Sequence, residues 1–168
     1  AVFIGQRDEE GKISIIGMGK TTSSGVERGV VKNIELTATA IKQAVEQAEA
    51  MANYQVKEVY VGIAGHNIKS QPQRGNIMIP EDDHIITIQD VEKLKKDQNN
   101  IALPPGEQII HVIAQSYSID GDASTINPVG RVGKCLAGDF NLITGNVANI
   151  QNVYHSVRLA GYTVKELI

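Results

Sequence analysis

Gly17-Met18-Gly19-Lys20-Thr21-Thr22 is the stretch whose residue types come nearest to a phosphate site. In such a loop, glycine amides cradle the anion, a lysine neutralises it and a hydroxyl follows. The full pattern also needs a glycine where this chain has Ser14. It needs a helix directly after Lys-Thr, so that amides at the helix N-terminus meet the phosphate. Ser23, Ser24, Gly25 and Gly29 follow instead, without apolar periodicity, so the stretch reads as a strand end.

The other reactive residue types form no constellation. His66, His84, His111 and His155 lack the short spacings that put two imidazoles on one metal. His111 sits in an apolar strand and reads as a core or edge histidine. No Gly-x-Ser-x-Gly elbow is present, and Cys135 has no nucleophile motif around it. Val61-Gly62-Ile63-Ala64-Gly65 is a strand running into a glycine turn, serving either close packing or a backbone approach to a ligand. Glu81-Asp82-Asp83 is an acidic turn ahead of a helix, read as solvated carboxylates near a helix N-terminus or as a partner site. Arg74, Arg131 and Lys134 are scattered cations of the kind that keep a surface soluble.

Bulk composition narrows the function classes. The 168 residues carry 16 Lys plus Arg against 19 Asp plus Glu, a net charge of −3. That balance argues against a nucleic-acid binder, which shows clustered basic charge. A single cysteine rules out an internal disulfide and suits a reducing cytoplasm. No apolar run approaches the ~20 residues that cross a bilayer. The opening Ala1-Val2-Phe3-Ile4-Gly5 reads as a strand without a signal peptide, and the missing Met suggests a piece of something longer.

The elements follow from periodicity. Ala1 to Ile4 and Ile13 to Lys20 form a hairpin around the polar turn Gln6 to Gly11, and Thr21 to Lys32 is a polar connection. Asn33 caps a helix to about Asn53, with Ile34, Ala38, Ile41, Val45, Ala48 and Ala52 at helical period. Val56 to Ala64 is a strand with the look of a central, two-sided position. Ile68 to Ile79 gives two short extended pieces broken at Pro72 and Gly75. Thr87 and Asp90 open a helix in capping-box fashion, with a face of Ile88, Val91 and Leu94.

Ile109 to Asp120 alternates as a half-buried strand, and Asn127-Pro128-Val129-Gly130 marks a tight turn. Asp139 to Thr144 is another strand. A helix runs from Asn146 to Ala160 and stops at Gly161, before a last strand from Tyr162 to Ile168. Residues 1–64 and 146–168 thus read as an α/β layer, and residues 65–145 as an α+β insert of strand, helix, strand and strand.

The chain resembles the FtsA family of bacterial cell-division proteins, which have an actin-like ATPase fold. Five blocks carry the resemblance in family-like order: Ser24 to Asn33, Ala44 to Glu49, Val59 to Ser70, His111 to Asp120, and Asn127 to Gly130. Ala114 departs from it, since many members carry Pro there, which would only mark a sheet edge. The resemblance implies a partial actin/ribonuclease-H-like subdomain, 1A, interrupted by a small SHS2-like subdomain, 1C.

It also implies a role for the whole protein: anchoring FtsZ to the membrane, polymerising, and recruiting later division proteins such as FtsN. The work would be done at the inner face of the cell membrane at the division site. The inserted subdomain would supply self-association and partner contacts. ATP with Mg would sit between two halves of the parent. The parts that hold nucleotide, FtsZ and membrane are expected outside this stretch, so no catalytic, cofactor-binding or metal residue is carried onto it. This chain is then expected to be no enzyme, to hold no cofactor and to bind ATP negligibly. An alternative actin-fold ATPase would do nucleotide work within the segment. A pilus-assembly scaffold of PilM type would share the flanks and the inserted subdomain but lack the Asn-Pro-Val-Gly block.

On this reading the candidate partner-binding residues are Arg74, Gly75, Glu81, Asp82, Asp83, Arg131 and Lys134. A basic cytoplasmic tail would suit the acidic turn, through an attraction that salt weakens. Reversing Asp82 and Asp83 to Lys in the full-length protein should reduce recruitment. Unchanged binding and localisation would reject that placement.

Overall fold

The computed structural model describes residues 1–80 and 84–168, so the acidic turn Glu81-Asp82-Asp83 lies outside the described residues. The chain is mixed α/β and divides into two compact units, Ala1–His66 with Val147–Ile168, and Asn67–Asn146.

In the first unit, β1 (Val2–Arg7) and β2 (Ile13–Gly19) pair antiparallel with a bulge at Ile4/Gly5. Their turn is closed by Asp8, whose carboxylate accepts the Lys12 N–H at 2.7 Å, while Gly11 supplies a φ of +85°. The polar connection holds a small ribbon, β3 (Val26–Glu27) with β4 (Val30–Val31), which periodicity could not register at two residues a strand. Helix α1 (Ile34–Ala52) starts where the Asn33 side chain accepts the Leu36 N–H at 2.9 Å, and ends at Asn53 in the left-handed region.

Its buried face is small: Thr37, Ala38, Ala40, Ala44, Val45 and Ala48. Glycines on β2 match that face, since a Cβ on Gly17 or Gly19 would overlap the carbonyl of Ala48 or Ala44. Strand and helix backbones therefore lie against each other directly.

β5 (Glu58–Val61) pairs in parallel with β9 (Thr163–Leu167), with no further strand in that sheet among the described residues. The expected central, two-sided strand is thus four residues long and alternately exposed. Its dense Val and Tyr content reflects β propensity, not burial on both faces. Helix α3 (Val147–Leu159) packs on α1. It ends in a Schellman motif, with Gly161 at φ +97° giving its N–H to Arg158 and Tyr162 giving its own to Val157.

The second unit runs β6 (Ile68–Met78), α2 (Ile88–Asp97), a 3₁₀ turn (Gln98–Asn100), β7 (Glu107–Ile119) and β8 (Cys135–Asn146). The three strands form an antiparallel sheet in the order β6-β8-β7. β6 is one unbroken strand where two pieces were expected. As an edge strand it can absorb Pro72, and Gly75 makes room for Gln98, whose side chain a Cβ there would strike.

The Thr87–Asp90 capping box is present, with the Thr87 N–H donating to the Asp90 carboxylate at 2.8 Å. Leu94 is fully buried and Val91 partly so, but Ile88, in the first turn, stays exposed. Leu94, Leu136, Phe140, Leu142, Ile77 and Ile86 make the centre of the core. Tyr117 meets Phe140 edge to face at 6.1 Å and 86°.

Gly17→Ala or Gly19→Ala should lower stability by about 1–3 kcal/mol, as overpacking does. Gly62 has open space around it, so Gly62→Ala should stay within about 0.5 kcal/mol. Urea unfolding of the three variants measures the difference, and an unaffected Gly19→Ala would refute direct backbone packing.

Candidate partner-contact surface

The phosphate reading meets its geometry first. Gly17 and Gly19 lie under α1, the Lys20 N–H donates to the Gln47 side chain at 3.0 Å, and the Thr21 hydroxyl donates to the Gln43 side chain at 3.3 Å. The Lys20 amide and the Thr21 hydroxyl are thus taken up by side chains of the helix. At the strand end Val61 to Gly65, a Cβ on Gly29 would overlap the Ala64 carbonyl, and one on Gly65 would come within 3.0 Å of the Arg28 carbonyl. Close packing of two backbones accounts for those glycines.

Among the described residues, no three His, Cys, Asp or Glu side chains converge as a metal site. The Tyr117 phenol is pushed up by burial, and the Tyr162 phenol by burial and then by Glu49 and Glu46. Both move away from the neutral range in which acid–base catalysis works. Among the described residues no helix is long and apolar enough to cross a membrane.

What the second unit does present is surface. The residues of β8 alternate, so Leu136, Gly138, Phe140, Leu142 and Thr144 face the core while Cys135, Ala137, Asp139, Asn141 and Ile143 face away from it. Arg74 on β6 reaches across that outer face. It lies 3.6 Å from the Asp139 carboxylate and donates to the Ser118 hydroxyl at 3.2 Å, while the Ser116 hydroxyl donates to Asp139 at 3.2 Å. The pair is exposed and contributes at most about 1 kcal/mol, so its effect is to hold a guanidinium across three strands. Gly75 lies on the opposite face, against Gln98.

Arg131 and Lys134 share the loop between β7 and β8, and that loop is pinned along its backbone. Thr125 exchanges both backbone bonds with Tyr117, at 2.8 and 2.7 Å. The Asn127 side chain accepts the Val129 N–H, and the Pro128 carbonyl accepts the Arg131 N–H with Gly130 at φ +83°. Gly130 and Arg131 bond to Ile86, Gly133 to His84, and Lys134 to Ile79. Asp120, itself left-handed at φ +50°, accepts the N–H groups of Lys134 and Cys135 at 3.1 and 2.8 Å.

Fixed backbone with exposed side chains is what a recognition loop needs. Here it displays Arg131, Lys134, Ile126 at 88% exposure and Val132 at 67%, with Ile85 bridged to Val132. Structure thus gathers Arg131 and Lys134 on one loop and sets Arg74 apart on the edge strand. The apolar members of the patch escaped the sequence reading, because an exposed Ile or Val carries no local signature. Asp120-Gly121 could have been noticed as a turn signal.

The family model described as "SHS2 domain inserted in FTSA" matches residues 65–144. The chain is 31% identical over 166 residues to the cell division protein FtsA of Pseudomonas aeruginosa, covering 99% of this chain and 39% of that protein. It is 34% identical over 159 residues to that of Neisseria meningitidis serogroup B, covering 95% and 38%. With that of Escherichia coli K12 it shares 31% over 168 residues, covering 100% and 40%. The chain therefore spans about two fifths of the length of these relatives. Among solved structures, the PilM-PilN type IV pilus biogenesis complex matches with a TM-score of 0.62 at 12% identity, covering 98% of this chain and 42% of the other. At that identity the likeness concerns the fold alone.

Asp120→Ala should cost about 1–2 kcal/mol, from a charged acceptor lost and a left-handed residue strained. Asp120→Asn keeps an acceptor and tolerates that conformation, so it should lose about half as much. Thermal unfolding reads the stability. Hydrogen exchange should speed up at Lys134 and Cys135 in the Ala variant, and unchanged exchange there would exclude Asp120 as the anchor.

Proposed function

We propose, because residues 65–144 match the family model of the SHS2 domain inserted in FtsA and the whole chain is similar to FtsA, that the protein works in bacterial cell division through contact. In this reading the parent anchors FtsZ to the membrane through parts outside this chain. The insert binds later division proteins such as FtsN, and binds copies of itself. The place of action is the inner face of the membrane at the division site. The observation that carries the reading is the pinned loop, which holds Arg131, Lys134, Ile126 and Val132 outward on a fixed backbone.

Nucleotide work falls to the parent, with ATP and Mg enclosed by a complete clamp. The chain itself is neither an enzyme nor a cofactor carrier. Support for this comes from Gly17 to Thr21, whose amide and hydroxyl are bonded to Gln47 and Gln43 beneath α1. A pilus-assembly role is the second reading, favoured by the fold likeness to the PilM-PilN complex. Identity of 31–34% to division proteins, and the Asn127-Pro128-Val129-Gly130 turn, favour division.

Arg131→Glu with Lys134→Glu in the full-length protein should reduce recruitment of later division proteins several-fold without changing stability by more than about 0.5 kcal/mol. Recruitment at wild-type level would remove the loop from the contact. Calorimetry of this chain with Mg-ATP should show no binding heat, and micromolar affinity would overturn a purely contact role.

A further inference from the structure

The outer edge of β6 carries an interaction of its own. The β6–β8 register holds without a bulge from Ile68↔Gly145 to Met78↔Cys135. One residue on, the Ile79 N–H donates to the Lys134 carbonyl at 2.9 Å, so the odd-numbered residues direct their backbone groups at β8. Pro72, Arg74, Asn76 and Met78 direct theirs away from the sheet. Pro72 agrees independently, because strands accept proline where its missing N–H would face open space. The Arg74 carbonyl accepts the Gln73 side-chain amide at 3.1 Å, as an outward group would. Among the described residues no backbone hydrogen bond closes this edge, whereas Thr125 closes part of the β7 edge at Tyr117.

We propose that this edge pairs with the same edge of a second copy, antiparallel, about a two-fold axis through Asn76. The prolines set the register. With Asn76 opposite the partner's Asn76, Arg74 meets the partner's Met78, and Pro72 meets the partner's Pro80. Both ends of the ladder then fall where neither strand has an N–H to give. One pairing step either way sets Pro72 opposite Met78, or Pro80 opposite Arg74, and moves a carbonyl without a donor from the end of the ladder to its interior.

Charge fits as well. The two Arg74 side chains stand about 13 Å apart along the strands, beyond the ~8–10 Å screening distance, and each keeps Asp139 beside it at 3.6 Å. Each arginine stem covers a Met78 that is 64% exposed in the single chain. The two sheets join into one, with their uncovered faces on the same side. This deepens the self-contact proposed above and rests on it for the identity of the occupant.

Sedimentation velocity of this chain should show a reversible, concentration-dependent dimer, and Asn76→Pro should weaken it at least tenfold. Pro72 shows that β6 folds with an outward N–H missing, so the variant should melt near wild type. In a Cys135→Ser background, Asn76→Cys should cross-link to itself under mild oxidation, since paired residues ~5.5 Å apart suit a disulfide. Arg74→Cys, at about 13 Å from its mate, should not. A monomer at every concentration up to about a millimolar, a dimer indifferent to Asn76→Pro, or equal cross-linking at both positions overturns the pairing. Recruitment of division proteins, measured beside it with Asn76→Pro, reports on the contact role separately.

Discussion

The inserted unit depends on β8, which is hydrogen-bonded on both sides and therefore has no edge of its own. Its period of two divides the unit. Leu136, Phe140 and Leu142 are at most 2% exposed and hold α2, β6 and β7 around one core. Gly138, between two of them, leaves room for the Phe140 ring and Leu94. Apart from Ile143, the alternate residues are small or polar, and they leave the other face without an apolar layer. A slip of one residue would exchange the faces, exposing Phe140 and burying Asp139. That constraint fixes where Arg74 lies and which strand ends the loop must join.

Much of this architecture was legible because it rests on local chemistry. Asn33, Thr87 with Asp90, and Gly161 each end or begin a helix through bonds within a few residues, and a sequence shows such neighbours directly. The mixed α/β class and the strand–helix–strand–strand order came from periodicity in the same way. Where the reading departed from the structure, the deciding partner lay far along the chain. Pro72 and Gly75 look like breaks until β8 is placed on one side and Gln98 beneath. Val59 and Tyr60 look buried until their strand is seen to have one neighbour.

The candidate surface was legible only in its charges. Arg131 and Lys134 stand out in the sequence, but their alignment needs Asp120 to reach fourteen residues ahead and Ile86 to bond Gly130 and Arg131. Ile126 and Val132 had no signal at all, since exposure is a property of the folded loop. The same logic disposes of the phosphate stretch. Its glycines answer to helix carbonyls 25 and 31 residues away, at Ala44 and Ala48, so composition suggested chemistry where packing was the cause.

The two edges of the inserted sheet are managed differently, and the difference bears on function. On β7, the chain folds its own Thr125 back onto Tyr117, which occupies the edge and stiffens the loop in one move. On β6, prolines at positions 72 and 80 limit how far any strand can pair, yet the amides of Arg74, Asn76 and Met78 between them keep their outward direction. An edge left wholly open invites indiscriminate pairing, and an edge fully blocked pairs with nothing. Bounding a short open stretch with donors removed at both ends admits a strand of matching length and rejects a slipped one. The loop offers side chains and the edge offers backbone, so the unit presents two surfaces of different chemistry on one rigid core.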